Sequence, residues 1–433
     1  MTSTAPRATE SRPVVHFTPP AGWMNDPHGI YWLDGVYHLY FQHVPDAVEW
    51  QTGISWGHAT SKDLVHWRPA AAVLVPGEGD EGIWSGSAVI DDDGRPVLFY
   101  TSAGGEDVDL GRVRSARLSQ AGDHWVKGPV VVEAVDTATR VFRDPTVFRD
   151  GDHWIMVVGS GRSDGTACAE VFSSSDLESW TPVGILASRS TRSQHPWTGA
   201  AWECPQVISG DSDAPDLLVV SIWDDHKPHD VAAATGTYAD GRFVVRHWRL
   251  LSAGAGHFAA SAFTDVEGRS CLIFWIRGIT DPGQWAGALS LPYVVTADGD
   301  DVRLEPHPAV AAARLPPDAG HDAGHVGSGQ VGSGLAIDVE WRPRQEDRLE
   351  LVTPEGEVQA SVHVEGWTVT VAVRDAASVT VSHHSECLRI IADAQVLEVV
   401  ADGGLVGLPL PASEAGLLPR TDDPGRVAWW HLS

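Results

Sequence analysis

Through roughly the first 300 residues, runs dominated by β-branched and aromatic residues, or alternating with polar ones, are closed again and again by turn signals such as Asp-Gly. Runs of this length and period predict strands joined by tight hairpins. The pattern recurs as NDPHGIYWLDGVYHLYFQ from Asn25, WSGSAVIDDDGRPVLFYTS from Trp84, RDPTVFRDGDHWIMVVGS from Arg143, WECPQVISGDSDAPDLLVVSIW from Trp202 and FAASAFTDVEGRSCLIFWIRG from Phe258. Asp26, Ser85, Asp144 and Glu203 fall 59 residues apart, and the next step lands on Ala262. A third strand follows in the first three units, where SKDLVHW at 61–67 is echoed by SSDLESW at 174–180. Four short strands fit each unit, so the chain is predicted to be all-β, with a five-bladed β-propeller over residues 14–300.

The pattern changes after that. Residues 301–334 are rich in Ala, Pro, Gly and His and read as a connector, with only a weak helical stretch near Ala309 to Leu315. Residues 335–433 return to short alternating strands, which predicts a compact antiparallel β-sandwich.

Composition narrows the function classes. With 58 acidic against 30 basic residues the formal charge is -28, so nucleic acid and anionic membrane surfaces are poor partners. The first twenty residues lack the apolar run of a secretory signal, and no window approaches ~20 uninterrupted apolar residues, which predicts a cytoplasmic protein. Cys168, Cys204, Cys271 and Cys387 include no close pair, so neither a zinc knuckle nor a redox pair is expected. The 19 tryptophans outnumber Phe and Tyr together, which suits ring-lined repeats or flat apolar faces for a sugar.

In a propeller the first strand of every blade lines the central channel, so repeat-related residues converge there. Three of the first four repeat positions carry carboxylates: Asp26, Asp144 and Glu203. Any one of them alone reads as a turn or strand-end acid, as Asp-Pro pairs often are; three unpaired acids facing one channel are costly to bury and point to chemistry. Paired carboxylates with hydroxyl-binding and aromatic neighbours are what glycoside hydrolysis needs. Arg143 offers a planar fork, Asn25 and Gln42 offer amides, and Trp50, Trp84 and Trp275 are candidate apolar walls for a sugar ring. Asp26 is expected to stay ionised through amide donors and Glu203 to hold a proton. The acid- and His-rich stretch at 224–230 reads as a polar loop at the channel mouth rather than a metal site.

WMNDPHG at 23–29, FQHVP at 41–45, SWGHATSKDLVHW at 55–67, WSGS at 84–87, FRDPTV at 142–147 and WECPQ at 202–206 together resemble the ordered motif set of glycoside hydrolase family 32, which includes β-fructofuranosidases, invertases, inulinases and levanases. ADAQVLEVVADGG at 392–404 is similar to a late strand motif of that family. The resemblance implies Asp26 as nucleophile, Glu203 as general acid/base, and Asp144 with Arg143 as the pair that binds fructosyl hydroxyls. It places Asn25, Gln42, Trp50 and Ser85 in the fructosyl pocket. It further implies retention of configuration, a substrate bearing β-fructofuranosyl units such as sucrose or a fructo-oligosaccharide, and no cofactor or metal. Fructosyl transfer, including formation or cleavage of difructose compounds, and a levan- or inulin-directed hydrolase remain alternatives on the same scaffold. One departure stands out: GHFAA at 256–260 carries His257 where the family has an acid, which bears on acceptor or leaving-group preference.

Overall fold

The computed structural model describes residues 12–104, 108–211, 213–254, 256–316, 336–411 and 416–433. Among them the apolar runs form five antiparallel groups, four of four strands and a fifth of five. The first comprises Gly22–Leu33, Val36–Val44, Ser55–Ser61 and Trp67–Leu74; the second Gly82–Ile90, Pro96–Ala103, Arg112–Leu118 and Trp125–Val132. The third comprises Thr139–Asp150, His153–Arg162, Thr166–Ser174 and Thr181–Ser190; the fourth Ala201–Ile208, Asp216–Asp224, Lys227–Ala239 and Arg242–Leu250. In the fifth, His257–Thr264 pairs with Ser270–Asp281, whose other edge meets Trp285–Leu289 and Tyr293–Asp298, and Asp301–Pro306 closes the outside. Each first strand packs on the next, and His257–Thr264 packs on Gly22–Leu33, which completes a ring. Parallel pairing of Gly22 and Trp23 with Trp285 and Ala286 fastens the fifth blade to the first.

Apolar layers between blades hold the ring. Trp56 between the first and second blades and Trp202 between the third and fourth are fully buried, and each such ring removes roughly 150–250 Å² from water, worth about 4–6 kcal/mol of transfer free energy before the entropy of ordering. The echoed SKDLVHW and SSDLESW segments prove to be one repeated turn. Ser61 Oγ accepts from the backbone N–H groups of Asp63 and Leu64, and Ser174 Oγ does the same for Asp176 and Leu177. Leu64 and Leu177 adopt left-handed φ of 70° and 64° and bury their side chains, a cost the serine and aspartate acceptors offset.

Part of the stretch read as a connector belongs to the propeller. Asp301–Pro306 is the outer strand of the fifth blade because Val302 and Leu304 alternate inward against Tyr293–Asp298. Pro308–Ala312 is a short helix, capped where His307 Nδ1 accepts from the Ala309 N–H at 3.1 Å. Beyond it two sheets face each other. Val427–Leu432, Ala336–Trp341, Leu388–Asp393, Val396–Ala401 and Gly404–Pro409 form one, and Ser252–Ala253 of the propeller extends it by parallel pairing. Leu418–Thr421, Arg348–Val352, Val358–Glu365, Thr368–Val373 and Val379–Ser382 form the other, with Trp341, Leu349, Val362, Ile390 and Leu397 in the core between. No helix among the described residues is long and apolar enough to cross a membrane.

Candidate active site

Every first strand carries a bulge at the channel. The residues from Met24 to Pro27, Arg143 to Thr146, Glu203 to Gln206 and Phe258 to Ser261 each span one residue more than the partner strand opposite, and so does the step from Trp84 to Gly86. A bulge re-aims side chains that a regular pleat would alternate. Its second position is left-handed at Asp144, Cys204 and Ala259, with φ of 62°, 45° and 50°. Aligned on the bulges, Met24, Trp84, Arg143, Glu203 and Phe258 are equivalent, so the uniform 59-residue register drifts by two residues between Met24 and Glu203 and breaks at the fifth blade. Asp26, Asp144 and Glu203 therefore hold the third, second and first bulge positions rather than one shared position, and they meet because the bulges turn all three into the channel.

All three carboxylates are buried. The Cys204 thiol sits between two of them, its Sγ 3.8 Å from Asp26 Oδ2 and 3.6 Å from Asp144 Oδ2, while the Cys204 N–H donates to Asp144 at 3.1 Å. Asp26 accepts from Asn25 Nδ2 at 3.1 Å, Gln42 Nε2 at 3.3 Å and Ser85 Oγ at 2.7 Å. Gln42 is fixed in turn by Asn25 and Ser85. Glu203 is bound differently. Arg143 Nε donates to its Oε1 at 2.6 Å, and Arg143 Nη1 donates to Asp109 at 2.8 Å.

Burial dominates the titration of the three acids. It pushes Asp26 above the ordinary carboxylate range, against the opposing donors from Ser85 and Asn25 and the charge of Arg143. Burial likewise raises Glu203 to about 8; Asp144 and Asp26 add to the rise and Arg143 opposes it. Asp144 is raised to about 6, by burial first and also by Asp26, against Arg143. Three acids in one dry pocket cannot all ionise cheaply, and the one with fewest donors keeps a proton longest.

The aromatic candidates divide. Trp84 is buried, donates to Thr52 O at 3.2 Å and lies under the Arg143 guanidinium at 5.8 Å. Trp50 is 48% exposed and meets Trp84 edge-on at 5.9 Å. Trp275 is buried in a cluster with Cys204, Phe258 and Ala259 and meets Trp23 edge-on at 5.6 Å. His257 does not reach the pocket. It is fully buried on the sandwich side, with Nε2 2.8 Å from Glu398, so its bearing on acceptor or leaving-group preference is not through contact in the pocket.

Four contributors had no sequence signal. Asp109 lies between strands of the second blade; Trp223 stacks on Arg143 at 4.8 Å; Thr101 Oγ1 accepts from the Asp144 N–H at 2.8 Å. Arg277 donates to the carbonyls of Pro228 and His229 at 2.6 and 2.5 Å, and burial lowers its pKa to about 10. The acid- and His-rich stretch at 224–230 forms a hairpin turn with left-handed Asp225 and His226. Among the described residues, Asp265, Cys271 and His307 have metal-ligand spacing. Asp265 already accepts from Arg269 Nε at 2.6 Å and faces His307 Nε2 at 2.9 Å, so the charges balance within the protein.

Residues 16–308 match the family model described as the glycosyl hydrolases family 32 N-terminal domain. The chain is 32% identical over 298 residues to a sucrose-6-phosphate hydrolase of Escherichia coli, covering 64% of this chain and 61% of that protein. It is 29% identical over 377 residues to the protein of the same name from Bacillus subtilis, covering 80% and 74%. The chain thus spans about three fifths of the length of the Escherichia coli relative. Among solved structures, a GH32 beta-fructofuranosidase of Bombyx mori superposes with a TM-score of 0.81 at 23% identity, covering 98% of this chain and 94% of that one. Fructan 1-exohydrolase IIa of Cichorium intybus superposes with a TM-score of 0.80 at 20% identity, covering 98% of both chains. At these identities the likeness is one of fold, a propeller followed by a β-sandwich.

Proposed function

The chain belongs to glycosyl hydrolase family 32, and from that premise we propose that it is a retaining β-fructofuranosidase acting on sucrose or fructo-oligosaccharides. The observation that carries this reading is the unequal treatment of two buried acids, Asp26 with three side-chain donors and Glu203 with Arg143. Donors to both oxygens of Asp26 favour its anionic form and aim it as a nucleophile. Glu203 keeps one oxygen on Arg143 and the other available for a proton. In the first step an Asp26 oxygen bonds to C2 of the fructosyl unit as the C2–O bond to the leaving group breaks, and the Glu203 proton passes to the departing oxygen. In the second, Glu203 takes a proton from water, the hydroxide oxygen bonds to C2, and the ester to Asp26 breaks. Two inversions leave the configuration retained. Asp144, on the left-handed bulge and held by Thr101 and Cys204, is assigned to fructosyl hydroxyls with Arg143, and Asn25, Gln42 and Ser85 to the fructosyl pocket. Trp50 and Trp84 serve as its apolar rim, with Trp275 behind Cys204.

Fructose release from sucrose, kestose, inulin, levan, difructose compounds and sucrose 6-phosphate, with NMR of the first-formed anomer, tests the reading. Release of β-fructofuranose supports it. Initial release of the inverted anomer, or no fructose from any of these, overturns it.

A further inference from the structure

Arg143 is a buried cation shared between carboxylates of two other blades. Its Nε reaches Glu203 at 2.6 Å, its Nη1 reaches Asp109 at 2.8 Å, and Asp144 follows it in the chain. Trp84 and Trp223 lie against the guanidinium at 5.8 and 4.8 Å and restrict its plane. They leave rotation within that plane undetermined. A guanidinium free to turn would present a nitrogen pair to Glu203, since the bidentate fork is the preferred arrangement on a carboxylate. Bidentate pairing would engage both Glu203 oxygens and stabilise the anion, which removes a general acid.

On the fructosidase reading above, we propose that Asp109 is the positioning residue that sets this rotation, holding Nη1 so that only Nε meets Glu203. The loop bearing Asp109 is built for registration against Arg143. Asp109 O accepts from the N–H of Phe142, the residue before Arg143, at 2.9 Å, and the Gly111 N–H returns a bond to Phe142 O at 3.0 Å. A Cβ at Gly111 would lie 2.3 Å from Thr101 Cγ2, so only glycine allows that approach. From the opposite side, His226 of the fourth-blade turn brings Nδ1 to 3.4 Å from Asp109 Oδ2. A carboxylate from one blade is thereby tied to the backbone of the next and capped by a third.

The charged and titratable groups around this assembly are Asp26, Asp144, Cys204 and Arg143 beside Glu203; Arg143 and His226 beside Asp109; Asp224, Asp225, Lys227, His229 and Asp230 on the capping hairpin; and Arg277 against its Pro228 and His229 carbonyls. Neutralising Asp109 leaves Arg143 to be compensated by Glu203, Asp144 and the more weakly coupled Asp26, which favours the Glu203 anion.

The test is a ¹³C carboxyl titration of Glu203 in the free full-length protein, comparing wild type with Asp109→Asn, alongside the pH dependence of kcat/KM on sucrose. In Asp109→Asn the Glu203 midpoint should fall by about one pH unit and the alkaline limb of kcat/KM should move with it. Asp109→Glu, which keeps the charge, should return the midpoint toward wild type. Asp109→Ser reads the same shift if the Asn protein does not fold. An unmoved midpoint in a folded Asn or Ser protein overturns the positioning role. Failure of the wild type to release fructose from any substrate overturns the fructosidase reading instead, and the titration separates the two.

Discussion

Ser85 Oγ donates to Asp26 Oδ2 at 2.7 Å from the neighbouring blade, joining two first strands across the channel. The bond opposes the burial that raises Asp26, and a hydrogen bond to a charged group is worth about 1.5–3 kcal/mol. Ser85→Ala should therefore lower kcat/KM on sucrose roughly 10–100-fold and move the acid limb of the pH profile upward, because Asp26 then gains its proton at higher pH. Steady-state kinetics across pH check both; an unmoved acid limb would count against Asp26 as the group that must be ionised.

Removing either reacting acid should cost far more. Asp26→Asn and Glu203→Gln are each expected to reduce kcat by about three orders of magnitude or more with the fold intact, since each role is exercised only as bonds to C2 form and break. In the wild type, kcat/KM should fall as pH rises through about 8, where Glu203 loses its proton. Circular dichroism with fructose release measures the substitutions, and a near-wild-type rate in either would remove the assignment.

A glycine outside the pocket should matter almost as much. A Cβ on Gly159 would lie 2.3 Å from Trp202 O and 3.1 Å from Arg143 O, on the backbones that carry Glu203 and Asp144. Backbone cannot yield as a side-chain tip can. Gly159→Ala should destabilise the protein by about 1–3 kcal/mol and lower kcat at least tenfold where the chain still folds. A melting curve and a rate on the same sample decide it.

The sequence carried the parts of this architecture that are local. Hairpin periodicity marked the blades, and the motifs around Asp26, Asp144 and Glu203 marked the site. The bulges were illegible because each adds a residue that only the partner strand exposes, so a uniform 59-residue register equated three acids that hold successive, different bulge positions. Asp109 was missed for a similar reason: its meaning lies in a guanidinium of the next blade. His257 misled because a motif position does not reveal which way a buried ring faces. Its partner Glu398 lies 141 positions away in the chain, in the sandwich. Part of the tryptophan excess is packing, since eight of the 19 are buried, among them Trp341 in the sandwich core.

That same Glu398 leads to a prediction about stability. His16 presents Nδ1 to Asp393 at 2.9 Å and Nε2 to Glu398 at 2.7 Å, so both nitrogens face acceptors and the ring must carry two protons to satisfy them. Glu398 also faces His257 Nε2 at 2.8 Å and accepts from the Leu291 N–H, while Asp393 accepts from the N–H groups of Val14, Val15 and His16. The cluster joins the N-terminal lead, the fifth blade and the sandwich with no exposed charge. Burial lowers the His16 pKa, but the bonds and charges of Asp393 and Glu398 outweigh it and raise the group to about 9; burial raises Glu398, and His16 and His257 outweigh that and hold it at about 2. For His16, raised above its unfolded value of about 6.5, the stabilisation is complete below that pH and is lost as pH climbs through about 9. For Glu398, depressed below its unfolded value of about 4.5, it is present above that pH and lost as pH falls toward 2. The melting temperature should therefore be highest between about 4.5 and 6.5 as far as this cluster governs it, and should decline by a few degrees from pH 6.5 to 9.5, for a His16 contribution on the order of 3 kcal/mol. His16→Gln leaves two buried carboxylates without their cation, so it should melt lower than wild type at pH 6 and show a flatter alkaline decline. Calorimetry across pH on both proteins makes the comparison, and equal alkaline slopes would show that His16 does not carry the effect.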